Sequence, residues 1–141
     1  MKQVLVLTFV LTAATRLIAS DDVKAVVNSY LEVHAALASD KLEAVKAPAA
    51  RLAALAEQMG ESGAAIAKNA RIVERAKDLE SAREAFVPLS DAVISAAKAA
   101  KIGDVKIAYC SMAKGSWLQK EDQIRNPYYG KQMLTCGEFK K

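Results

Sequence analysis

The sequence is nearly without histidine: His34 is the only one in 141 residues. A single imidazole leaves little for acid–base chemistry and excludes the His-Glu-x-x-His zinc motif. Other enzyme signatures are missing as well. There is no Gly-x-Ser-x-Gly elbow, no glycine-rich phosphate loop and no Cys-x-x-Cys-His haem attachment. The chain reads as a non-enzyme. Aromatic residues are scarce, at 6%, while apolar residues make up 52% and alanine dominates them. That balance disfavours a β sandwich and disorder, and favours closely packed helices in one domain with a real core. Basic blocks are lacking too. The lysines are scattered among acids without aromatic interleaving, so nucleic-acid binding has no support.

Long apolar runs are confined to the start. In "MKQVLVLTFVLTAATRLIAS" Lys2 supplies a positive n-region, and Val4 to Ala14 an apolar stretch too short to span a bilayer with margin. Residues 1–20 are read as a secretory signal peptide with cleavage after Ala19 or Ser20, and a retained anchor is the alternative. Arg16 is unusual so near a cleavage site. Export implies a periplasmic protein with no membrane span once the leader is removed. Loss of Lys2 and Arg16 lowers the formal charge from +4 to +2, so part of the basicity belongs to the leader.

Residues 21–141 are expected to form one domain, with four helices over about 21–102 and a different segment over about 103–141. Val23, Val27, Tyr30, His34 and Leu37 recur at steps of four, three, four and three, one face of a helix. Leu42, Val45, Ala49, Leu52, Ala56 and Met59 repeat that spacing, with Asp40 and Glu43 resembling a capping pair before them. Pro48 is expected to kink this second helix. After a "GESG" turn a third helix places Ile66, Val73 and Ala76 inward. Leu79, Ala82, Phe86, Leu89, Val93, Ala96 and Ala100 form the cleanest seam, which Pro88 should bend or split. Together these predict an all-α, up-and-down four-helix bundle with an appended irregular or short-stranded segment. In that segment Val105, Ile107 and Tyr109 alternate as in a strand. Trp117, Tyr128 and Tyr129 need burial, so the segment is expected to pack back across the bundle.

The appended segment holds both cysteines, each near a methionine. Cys110 and Met112, two apart, share one side of an extended chain; Met133 and Cys136, three apart, meet on a helical turn. Should the segments meet, two thiols and two thioethers converge, a donor set suited to Cu(I) or Ag(I). Zinc is less favoured, because methionine binds it poorly and no histidine is close in sequence. Trp117 is placed to shield such a site. The plainer readings stand beside this one. Two cysteines in an exported chain make one disulfide, Cys110–Cys136, whose loop is worth about 3.5 kcal/mol by chain entropy. In the plainer reading Met112 and Met133 are flexible core fillers, Trp117 is a packing anchor and His34 a hydrogen-bonded core histidine; in the metal reading His34 is a further candidate ligand from the bundle.

The stretch "YCSMAKGSWLQKEDQIRNPYYGKQMLTCGE" resembles the C-terminal signature of domain-of-unknown-function family 3347, a family of exported bacterial helical domains. The pattern Cys-Pro-Met, Trp-Leu, Ile-Arg-Asn-Pro-Tyr and Met-Leu-x-Cys-Gly is met by Cys110 and Met112, Trp117-Leu118, Ile124 to Tyr128, and Met133-Leu134 with Cys136-Gly137. The helical part, including "LESAREAFVPLSDAVI", is similar to the family too. Ser111 stands where the pattern has proline, which loosens the backbone between Cys110 and Met112. Members occur alone or fused to periplasmic adaptor subunits of copper and silver efflux systems. The resemblance therefore implies heavy-metal handling outside the cytoplasm, with an efflux component as partner. A disulfide-stapled interaction domain without metal is the competing expectation.

Overall fold

The computed structural model describes residues 19–141. The leader expected over residues 1–20 therefore lies, up to residue 18, outside the described residues. Four helices come first: α1 Ser20–Ala38, α2 Leu42–Gln58, α3 Ala64–Glu74 and α4 Leu79–Ala99. Three short strands follow: β1 Lys106–Cys110, β2 Gly115–Gln119 and β3 Glu138–Phe139.

The helix ends follow local chemistry. Asp21 and Asp22 occupy the first turn of α1, where carboxylates meet the positive end of the helix. The turn after α1 differs from expectation. Asp40 does not cap α2; it takes the left-handed conformation (φ 57°) and closes α1. Lys41 N–H donates to Ala36 O at 2.9 Å and Asp40 N–H to Leu37 O at 3.2 Å, the paired bonds of a Schellman ending. α4 begins at Asp78, whose Oδ1 accepts the Ser81 N–H at 2.7 Å. Both prolines lie inside continuous helices, so Pro88 does not split α4.

The seams read from the sequence point inward. Val23, Val27, Tyr30, His34 and Leu37 of α1 are all buried, as are Val45, Ala49, Leu52 and Ala56 of α2 and Ala82, Phe86, Leu89 and Val93 of α4. Consecutive helices pack on each other, and α1 also packs on α4. Among the described residues no helix is long and apolar enough to cross a membrane.

The strands form one antiparallel sheet in the order β2-β1-β3. β1 and β2 make a hairpin from Cys110↔Gly115 to Lys106↔Gln119, and Phe139 of β3 pairs with Ala108. This sheet corrects the expectation of an appended segment. β2 packs against both α4 and α1, and Ala108, Cys110, Trp117, Leu118 and Tyr128 belong to the same buried cluster as the helices. An aromatic chain makes the join. Tyr30 stacks on Phe86 at 4.9 Å, Phe86 meets Tyr128 at 5.9 Å, and Tyr128 sits edge-on to Trp117 at 5.9 Å. At the centre the Tyr30 hydroxyl lies 2.7 Å from Ser90 Oγ and accepts the Leu118 N–H at 3.2 Å. It thereby occupies a backbone donor on the outer edge of β2, which is buried and needs a partner.

A second clamp holds the chain after Pro127. Arg83 of α4 donates from Nε to Pro127 O at 2.8 Å, and from Nη2 to Leu37 O at 2.8 Å and Asp40 Oδ1 at 2.5 Å. Asp40 Oδ2 also accepts the Lys131 N–H. The Arg83 hydrogen bond, with lesser help from Lys131, holds the Asp40 carboxyl below the usual carboxylate range. Gly130 lies on this cluster at φ +55°, and a Cβ there would come within 1.9 Å of Asp40 Oδ1.

Candidate functional site

Cys110 ends β1 and is fully buried beneath the hairpin; Cys136 precedes β3 and is half-buried. Their sulfurs lie 3.1 Å apart and are not bonded to each other. The tight turn 111–114 aims the Ala113 N–H at Cys110 Sγ from 3.4 Å. Burial pushes the Cys110 thiol up. The Ala113 N–H, the Cys136 thiol, the Met112 N–H and the Asn126 side chain together outweigh that and bring it below its ordinary value. Cys136 moves the other way, chiefly because its proton is held in the hydrogen bond to Cys110, with burial adding to the effect. Of the two, Cys110 is therefore the sulfur that ionises more readily, with the Cys136 thiol donating toward it.

Asn126 positions the second sulfur. Its side chain is fully buried. Nδ2 donates to Cys136 O at 2.7 Å, while Oδ1 accepts the N–H groups of Tyr128 at 2.8 Å and Tyr129 at 3.2 Å. Its own N–H donates to Leu134 O at 2.7 Å. Gln119, also fully buried, organises the preceding loop. Its Oε1 accepts from Trp117 Nε1 and Arg125 N–H, and its Nε2 donates to Glu121 O and Gln123 O. Gly137 completes the frame at φ +138°. A Cβ there would lie 2.8 Å from Trp117 Cη2 and 3.0 Å from Tyr109 O, so the chain beside Cys136 rests directly on the tryptophan ring.

The other expected site residues fall differently. Met112 is not on an extended strand with Cys110: β1 ends at Cys110, and Met112 lies in the following turn, 60% exposed. It borders a groove with Leu79, Glu80, Val87 and Tyr129. Cys136 borders a separate cleft with Tyr109, Ser111, Gly137 and Glu138. Met133 is half-buried on a turn closed by the Cys136 N–H donating to Met133 O at 3.1 Å. His34 is buried on α1, and its Nε2 donates to Arg125 O at 2.7 Å. Burial lowers its pKa, with the Arg125 carbonyl opposing, so the ring is neutral and that nitrogen is occupied by a carbonyl. Trp117 is fully buried and serves the fold through Tyr128, Gln119 and Gly137.

Sequence reasoning brought the two thiols together and missed Asn126 and Gln119. The Asn-Pro of "RNPYYGK" marked a turn, but nothing in the motif showed which backbone groups the asparagine would satisfy. Chemically the site offers two adjacent sulfurs. Among the described residues no three side chains of His, Cys, Asp and Glu gather as a metal-binding group.

No curated protein and no solved structure matches the chain. A family model described as Protein of unknown function (DUF3347) matches residues 26–104, from the second turn of α1 to the loop after α4, and stops before β1. With more than half of its length inside that match, the chain belongs to the family DUF3347.

Proposed function

We propose that this is an exported binding domain for a soft monovalent cation, Cu(I) or Ag(I), held by Cys110 and Cys136. The observation that carries the reading is the 3.1 Å approach of two unbonded thiols in one folded frame. Thiolates select Cu(I) and Ag(I), which accept low coordination numbers. The network that favours ionised Cys110 lowers the cost of forming the first thiolate. Met112 and Met133, each within three residues of a thiol, are the further donors proposed for the loaded state. His34 is proposed to stay a core residue, because its Nε2 is held by Arg125 O.

The leader, the periplasmic location and an efflux component as partner belong to the same proposal, and they rest on the sequence. So does binding rather than catalysis as the role. The order of helix contacts, each helix on its successor and α1 on α4, supports an up-and-down arrangement of the four helices. A competition titration of reduced protein against a Cu(I) chelator tests the reading. Wild type should bind about one ion with high affinity, and Cys136→Ser should lose binding. Met112→Leu/Met133→Leu, which nearly preserves volume and apolarity, should weaken binding while leaving the fold intact. Equal affinity in the methionine double variant would remove the thioethers from the site. No binding by reduced wild type would leave the disulfide-stapled interaction domain as the better account.

A further inference from the structure

The two sulfurs are unequal in a way that metal binding does not require. Cys110 is fully buried, with the 111–114 turn closed over its sulfur. Cys136 opens onto a cleft of about 270 Å³ lined by Tyr109, Ser111, Gly137 and Glu138. That volume lies just below the usual range for small-molecule pockets and admits a short thiol-sized group rather than a large ligand. The absence of a side chain at Gly137 keeps one wall of the cleft low, and the backbone geometry there is one that only glycine adopts without strain. A group attached to Cys136 would enter this cleft, and Cys110 Sγ lies 3.1 Å from the Cys136 sulfur in the free protein.

We propose that Cys110 and Cys136 are a thiol–disulfide exchange pair for low-molecular-weight aliphatic disulfides, with Cys136 reacting first and Cys110 resolving. In the first step Cys136 loses its thiol proton to solvent, and Cys136 Sγ attacks one sulfur of the disulfide. A Cys136–S–S–R bond forms, the S–S bond of the reagent breaks, and RS⁻ leaves with the electron pair and takes a proton from water. In the second step Cys110 releases its proton to solvent and attacks Cys136 Sγ. The mixed disulfide breaks, the Cys110–Cys136 bond forms, and a second RS⁻ leaves. Two protein thiols are oxidised and one disulfide is reduced to two thiols. The order follows from access: of the two, Cys136 faces the cleft, and the buried Cys110 is within reach of its sulfur.

The test is the reaction of reduced protein with cystamine, a short aliphatic disulfide, with a copper chelator present throughout. Wild type should form the internal disulfide, release two cysteamine thiols per chain, and carry cysteamine only transiently, on Cys136. Cys110→Ala should trap a stable cysteamine adduct at Cys136. In Cys136→Ala, Cys110 should react at least about tenfold more slowly than Cys136 does in Cys110→Ala. Equal rates in the two variants, an early wild-type adduct on Cys110, or failure of wild type to close the internal disulfide would each overturn the proposal. Should Cys110→Ala not fold, the wild-type time course, acid-quenched and mapped by peptide mass spectrometry, decides on its own. Because copper is excluded, exchange and Cu(I) binding can each fail without the other.

Discussion

The helices and the segment from β1 to β3 are held together by different physics. The helical part is stabilised by many interchangeable apolar contacts, with Ala49, Ala53, Ala56, Ala70 and Ala82 letting the helices approach closely. The segment carrying the sulfurs has little regular structure. It is ordered by a few polar groups, each with several tasks: the buried Asn126, Gln119 and Tyr30 hydroxyl and the half-buried Arg83 guanidinium. A lost apolar contact costs roughly its area and cavity. A lost buried hydrogen-bonding residue strands all of its partners at once. The two regions should therefore fail differently, the first by losing stability and the second by losing geometry.

Phe86→Ala should have the largest effect, because Phe86 contacts both Tyr30 and Tyr128 and so joins the regions. A loss of about 3–5 kcal/mol is expected, read as a lower urea midpoint with helical and tertiary signals lost together. Separate transitions would show the regions to be less coupled than the aromatic chain implies. Asn126→Ala should cost about 3 kcal/mol, since it leaves the N–H groups of Tyr128 and Tyr129 and the carbonyl of Cys136 without partners. Far-UV circular dichroism should stay near wild type while Cys110 becomes reactive to thiol reagents. Helix loss as deep as in Phe86→Ala would break the comparison.

His34 gives a smaller, pH-dependent effect. Burial depresses its pKa in the folded chain, only partly offset by the Arg125 carbonyl. As pH falls through the unfolded value of about 6.5, the unfolded chain takes up the proton first. The stability contributed by neutral His34 is thus present above that pH and lost below it. Urea midpoints measured from pH 7.5 to 5.5 should fall for wild type and fall less for His34→Gln. The smallest effect is a gain. Lys101 closes α4 at φ 55°, with Ile102 N–H donating to Ala97 O at 2.9 Å. Lys101→Gly should raise stability by about 0.5 kcal/mol, and a measured loss would mean that the lysine side chain contributes more than its backbone costs.

The same difference decided what could be read in advance. Helix seams are legible because burial repeats every three or four residues, and Val23 through Leu37 or Leu79 through Val93 repeat it several times over. β1 was legible from alternation, but its fully buried positions are Ala108 and Cys110, while Ile107 and Tyr109 face the half-covered side. β2 escaped notice because Trp117, Leu118 and Gln119 are buried consecutively between sheet and helices, which leaves no alternation to detect. β3 has two residues and no periodicity at all. The proximity of Cys110 and Cys136 was legible from chemistry. The turn that carries Met112 away from the extended path was not, because it depends on Lys114 adopting φ 51° and Gly115 lying against the Tyr128 ring.

The central claim is that the sulfurs gathered by this polar frame, and no other groups, receive a soft cation. X-ray absorption at the copper edge of reduced protein loaded with one equivalent of Cu(I) tests it most directly. The account predicts a first shell of sulfur alone, including two short thiolate bonds that disappear in Cys136→Ser. A first shell containing nitrogen or oxygen, or copper lost from the reduced wild-type protein on desalting, would contradict it.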